Sequence, residues 1–136
     1  MGGNMSILIS LIREADNFIS LKPASLSQIS EAESRLKLSF SEDYTEYLVE
    51  FGAASFAGKE LTGICESERL SVVSTTEKAR IRFPRFPSNA YVIEDLYVDH
   101  MLIVQDCSGK VYLYGSEDCG REIAGSLKDY LFPSDQ

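Results

Sequence analysis

Apolar positions along the chain follow two rhythms. Between Tyr91 and Tyr114 they gather into three short runs, Tyr-Val-Ile, Met-Leu-Ile-Val and Val-Tyr-Leu-Tyr, separated by acidic or glycine-containing breaks. The spacing predicts strands over Tyr91–Leu96, Met101–Gln105 and Lys110–Tyr114, joined as an antiparallel meander at the centre of the sheet. Met101–Val104 is continuously apolar rather than alternating, which points to a strand covered on both faces. Asp106-Cys-Ser-Gly109 reads as a tight hairpin turn in which Gly109 supplies a positive φ. Arg121–Ala124 adds one more short strand. Ser126 can cap a final helix that turns Leu127, Tyr130 and Leu131 inward and stops at Pro133.

The first half of the chain has the helical rhythm. Ile7, Leu8, Leu11, Ile12, Ala15, Phe18 and Ile19 mark one amphipathic helix that ends before Pro23. Ser25-Leu-Ser-Gln28 is a capping box opening a short helix with Leu26, Ile29, Ala32 and Leu36 on its apolar stripe. Ser41 caps a third helix, with Glu42 and Asp43 in its first turn, where the helix dipole favours anions. Tyr44, Tyr47, Leu48 and Phe51 line its buried side and Gly52 terminates it. Two short strands follow, around Ser55–Ala57 and Glu60–Ile64, with a turn at Gly58-Lys59. Ser71 or Ser74 caps a further helix through about Arg82, the latter through a Ser74-x-x-Glu77 box. Pro84 and Pro87 enclose a loop that cannot be a central strand. The order predicts an α+β single domain over residues 1–136. Its N-terminal helices pack on a curved, mainly antiparallel sheet, and a C-terminal helix closes it. Residues 1–5 read as a flexible N-terminus or a fusion scar.

Charge narrows the function. The 136 residues carry 13 basic and 21 acidic side chains, a net charge of −8. Such a surface repels phosphate backbones and anionic membranes and steers basic partners inward. Nucleic-acid and membrane binding are therefore disfavoured, and plain solubility explains the acidity equally well. Residues 1–55 hold 4 basic against 8 acidic side chains and residues 89–136 hold 3 against 9, whereas residues 56–88 hold 6 against 4. That net-positive stretch includes Lys78, Arg80, Arg82, Phe83, Arg85 and Phe86. Basic residues interleaved with aromatics could stack single-stranded bases. In an acidic domain the better reading is cations at a helix C-terminus followed by phenylalanines tucked into the core.

Candidate chemistry is sparse. His100 is the single histidine, so any Ser–His or Cys–His dyad must use it, yet it sits beside Asp99 in a turn where polar residues belong anyway. Glu42-Asp43, Glu94-Asp95 and Glu117-Asp118 are paired carboxylates, but neighbours on a strand face opposite ways, and without tryptophan there is little to stack a sugar. Phosphate-binding, dinucleotide, zinc-protease and nucleophile-elbow motifs do not occur, and Gly52, Gly58 and Gly63 are too widely spaced for a phosphate cradle. Cys65, Cys107 and Cys119 lack the partners of a zinc site and read as reduced structural thiols. No metal or cofactor is implied. The chain has neither an apolar run of membrane-spanning length nor a basic signal region, so a cytoplasmic protein is expected. Met-Gly-Gly-Asn-Met-Ser formally matches an N-myristoylation pattern, which an alternative start at Met5 explains as well.

Two stretches carry a family pattern. Residues 29–64, ISEAESRLKLSFSEDYTEYLVEFGAASFAGKELTGI, combine an I-x-x-x-E helix (Ile29, Glu33), a polar helix opening (Ser41, Asp43, Tyr44), a helix-ending Gly52 and a strand closing at Leu61–Gly63. Residues 102–115 and 125–131, LIVQDCSGKVYLYG and GSLKDYL, add an Asp-x-x-Gly-x-Val-Tyr strand pair and a Ser-led closing helix. Their order resembles the SUKH superfamily, in its Smi/Knr-like branch. Two details depart from the family: Ser41 stands where a proline is usual, and Gly52 directly follows Phe51 where many members have Asn-Gly. The resemblance implies a non-enzymatic bacterial immunity protein that binds and neutralises a cognate polymorphic toxin, a basic nuclease domain fitting the charge best. The alternative is a regulatory or scaffolding module of the cell-wall-regulator type. Charge places the partner contacts at Glu94, Asp95, Asp99, Asp106, Glu117 and Asp118, and in second rank at Glu66 and Glu68. Each can equally be a solvated surface charge. Exposed edges of a meander leave room for pairing with a second copy.

Overall fold

The computed structural model describes residues 6–98, 100–115 and 119–133. Residues 1–5, on which the N-terminal readings fall, lie outside them. In chain order the elements are α1 (Ile7–Glu14), β1 (Ile19–Ser20), α2 (Leu26–Leu36), α3 (Glu42–Phe51), β2 (Ala54–Phe56) and β3 (Lys59–Leu61). A 3-10 turn (Glu68–Leu70) leads to α4 (Val72–Arg82), β4 (Ala90–Asp95), β5 (Leu102–Asp106), β6 (Val111–Tyr114), β7 (Cys119–Ala124) and α5 (Leu127–Leu131). The fold is α+β, as expected. Its strands, however, divide into two antiparallel sheets, β1-β2-β3 and β4-β5-β6-β7, in place of a single curved one. Thr62 joins them: its N–H donates to the Ile93 carbonyl at 2.9 Å and its hydroxyl to the Val92 carbonyl at 2.7 Å.

Local signals hold well where they are caps. Ser25 accepts from the Gln28 amide while the Gln28 side chain accepts from the Ser25 amide, completing the capping box. Ser41 caps α3, Gly52 ends it, and Tyr44, Tyr47, Leu48 and Phe51 are its buried residues. Ser71, not Ser74, caps α4, and Glu77 reaches Arg35 of α2 instead of closing a local box. The first helix is shorter than its periodicity. It stops at Glu14, Asn17 turns left-handed at φ 58°, and Ile19 and Ser20 pair with Ser55 and Ala54. Phe18 still reaches the core, edge-on to Phe51 at 5.1 Å, delivered by a turn. The β2–β3 turn uses Ala57 and Gly58, both at positive φ, one residue earlier than read.

The meander explains its own apolar run. Tyr91, Ile93, Ile103 and Val111 pack with α1, α2, α3 and α5, while Val92, Leu102, Val104 and Tyr114 pack with Ala79 and Phe86 on the opposite face. Strand β5 is therefore apolar at successive positions because helices cover both sides of it. Phe83 and Phe86 lie edge-on to Tyr114 at 5.3 and 5.1 Å. Those rings are part of the core, which removes the stacking surface that base binding needs. Cys65 is a half-buried free thiol, and Cys107 is an exposed one at the β5–β6 turn, so neither is a core residue.

Candidate functional site

The acids expected to meet a partner have unequal surroundings. Glu94 is only 7% exposed and accepts a hydrogen bond from the Tyr130 hydroxyl of α5. A bulge at Ile93 causes this: Val92 pairs with Val104, but Glu94 pairs with Ile103, so the carboxylate points to the face covered by α5. Burial, then the Glu94 carboxylate, push the Tyr130 phenol well above its usual range. Asp95 is half-buried on the other side, where it accepts from the Tyr97 amide at 2.8 Å. Asp99, Glu117 and Asp118 lie outside the described residues.

Asp106 is held by its own hairpin. One carboxylate oxygen accepts from the Ser108 amide (3.0 Å), the Ser108 hydroxyl (2.6 Å) and the Lys110 amide (3.2 Å), and the other from the Tyr112 hydroxyl at 3.0 Å. Partial burial pulls its pKa up, but the hydrogen bonds from Ser108, Tyr112 and Lys110 outweigh it and hold the carboxyl below the usual range. A depressed carboxyl stabilises the fold above its unfolded pKa of about 3.9, and that stability is lost as pH falls through the lower folded value. Asp106→Asn should therefore cost about 1–2 kcal/mol at neutral pH. The gap to the parent should close below about pH 4. Urea unfolding at pH 7 and pH 3 checks this, and an equal gap at both would refute it.

Glu66 and Glu68 are exposed, and the fold gives them company. They lie with Glu31, Arg35 and Glu77 around a cleft of about 440 Å³ whose apolar floor is Ala32, Ile64 and Val73. Gln28, Glu31, Ala32 and Arg35 follow i, i+3, i+4, i+7, so α2 presents them on one face as one wall. Ser74 and Glu77 of α4 form the other. The Gly63–Ile64 end is pinned: the Gly63 amide donates to the Leu70 carbonyl and the Val72 amide to the Gly63 carbonyl, both at 2.8 Å. Arg35 bonds Glu77 at 3.2 Å, while the Glu68–Lys78 pair is 3.7 Å apart with both groups strongly exposed, a geometry worth little in water. Four carboxylates thus face one guanidinium around a partly apolar floor. This arrangement attracts a cationic surface and offers it some area to bury.

Sequence reasoning missed Glu31 and Glu77. Glu77 lies in the net-positive segment, and Glu31 belongs to a helix 46 positions away in the chain. The polar face of the α2 periodicity was the available signal for Glu31. His100 is exposed in the β4–β5 turn. Among the described residues, no helix is long and apolar enough to cross a membrane.

The family model SUKH_5, described as SMI1-KNR4 cell-wall, matches residues 5–132. No curated protein is similar enough to count as a match.

Proposed function

Because the chain belongs to the SMI1-KNR4 family of the SUKH superfamily, which includes immunity proteins, we propose that it is an immunity protein. In this reading it binds a cognate toxin domain in the cytoplasm and neutralises it by contact, without catalysis, cofactor or metal. The observation that carries the proposal is the acidic cleft between α2 and α4, in a chain of net charge −8. A basic nuclease domain is the partner such a surface meets fastest, since opposite fields accelerate encounter.

Co-expression with the toxin domain encoded beside this chain should restore growth, and the two should co-purify. Glu66→Lys with Glu68→Lys should weaken the complex about 10-fold, with most of the loss relieved at high salt. A toxin domain that neither binds nor is neutralised would overturn the reading. The family's description, cell-wall, favours a second reading: a regulatory or scaffolding module. Under that reading, deleting the gene would change cell-wall resistance and leave toxin sensitivity untouched.

A further inference from the structure

A second groove lies between α1 and α3, outside the acidic cleft. Its volume is about 390 Å³, with buried Ile9 and Phe40 in its lining, and Val49, 41% exposed, among its residues. Glu42, Glu46 and Glu50 recur every fourth residue of α3 and edge the groove with one carboxylate per turn. Glu50 is paired with Arg13 of α1. Glu42 and Glu46 are exposed and meet no cation among the described residues. They also border a polar cleft of about 550 Å³ on the other flank of α3, with Ser41, Asp43, Ser108 and Ser126, so both carboxylates stand on a ridge between two depressions.

We propose that the groove between α1 and α3 seats a basic amphipathic helix of the protein partner, its apolar stripe on Phe40 and Val49 and its Lys or Arg side chains on Glu42 and Glu46. This rests on the reading that the chain acts by binding a protein. Charge selects a cationic occupant: two adjacent carboxylates have no counter-charge among the described residues and flank apolar surface. Secondary structure selects a helix. Apart from Ser6 and Phe40 the lining residues belong to α1 and α3 and present no strand edge, so an extended segment would lose water from its N–H and C=O groups with nothing to replace it. A helix satisfies its own backbone, and cations four residues apart on it advance about 6 Å, the pitch at which Glu42 and Glu46 advance along α3. The chain's own α4 is a poorer occupant. It offers a single strongly exposed apolar side chain, Ile81 at 83%, between Lys78 and Arg82, and its Ala79 is committed to the core.

The test is titration of the isotopically labelled chain with a synthetic helical peptide. Its leucines follow i, i+3, i+4, i+7 and lysines flank them. Amide shifts should concentrate on Ile9, Phe40, Thr45 and Val49. Val49→Asp, and Glu42→Lys with Glu46→Lys, should each weaken binding about 10-fold. Glu122→Lys, on exposed β7, should stay within about twofold, as expected for a charge outside the contact. Should the reversal at Glu42 disturb the α3 cap, Glu42→Gln with Glu46→Gln serves instead. Shifts centred on the α2–α4 cleft, or affinity indifferent to Val49→Asp, overturn the proposal. So does self-association by sedimentation that Lys78→Glu with Arg82→Glu abolishes, which assigns the groove to a second copy. A rise in peptide affinity on removing residues 1–5 also overturns it, by assigning the groove to the chain's own N-terminus. Failure of the unaltered chain to neutralise the toxin, with the peptide still seated, removes the immunity reading alone. Neutralisation unimpaired by Val49→Asp and by the double reversal removes this proposal alone.

Discussion

Gly63→Ala should remove a large fraction of the protein's folding stability. A Cβ at position 63 would stand 1.8 Å from the Gly52 carbonyl oxygen, 2.8 Å from its carbon and 2.9 Å from the Ala53 Cβ. The obstacle is backbone, so no side-chain rotation relieves it. The clash sits where α3 ends and the exit of β3 passes it. There the Ile64 amide donates to the Gly52 carbonyl at 2.9 Å, and Gly63 makes the two bonds to Leu70 and Val72. Overpacking costs about 1–3 kcal/mol and each displaced hydrogen bond about 1 kcal/mol more, so a loss of about 4 kcal/mol is expected. Set against a typical total of about 5–15 kcal/mol, that is a large fraction. Gly58→Ala is the control: its φ is +80° but nothing lies within 4 Å of the added methyl, so about 1–2 kcal/mol should be lost. Urea midpoints decide, and a Gly63→Ala midpoint equal to the parent's would refute the close approach. Gly63 also lines the acidic cleft, so the same contact that closes the fold places Glu66 and Glu68 beside α2.

Gln105→Leu should cost about 3 kcal/mol although the two side chains have similar size, because it strands partners on three elements. Gln105 is 0% exposed. Its amide nitrogen donates to Asp43 of α3 at 3.2 Å and to the Gly109 carbonyl at 2.9 Å, and its oxygen accepts from the Tyr91 hydroxyl at 2.9 Å. Tyr91 in turn accepts from the Ser41 amide at 2.9 Å, and the second Asp43 oxygen accepts from the Leu127 amide at 2.7 Å. One buried glutamine therefore ties the start of α3, the β5–β6 hairpin and the start of α5. Burial drives the Tyr91 phenol well above its usual pKa, so it stays a neutral donor throughout the accessible range. Tyr91→Phe removes one node and should cost about 2 kcal/mol. Calorimetric unfolding tests both, and a Gln105→Leu loss below about 0.5 kcal/mol would show the network to be dispensable.

These two residues also mark how much could be read in advance. Gly52 was legible as a helix terminator, because termination is decided by φ at one position. Its contact with Gly63 was not, because two glycines eleven residues apart carry no local sign that their backbones touch. Gln105 reads as the polar end of an apolar strand, and only the approach of Asp43, from 62 positions away, makes it a core residue. Glu94 shows the same limit. Strand alternation would place it by parity, but the bulge at Ile93 re-aims it beneath Tyr130. The family pattern was legible because it is written in caps, turns and apolar spacing, and those signals covered most of the chain.

By itself, then, the sequence determined what depends on near neighbours: the capping serines at 25, 41 and 126, the buried face of α3, the Asp106–Gly109 hairpin, the meander and the family. A cap or a turn is a contest among hydrogen bonds a few residues apart, so its residues announce it. The tertiary structure alone decided where α1 stops, how the strands divide into two sheets, which acids are spent inside the fold and which gather around a cleft. Those outcomes turn on burial and pairing between distant segments. A carboxylate looks the same in the sequence whether it lies under a tyrosine, as Glu94 does, or faces water across from Glu31, as Glu66 does.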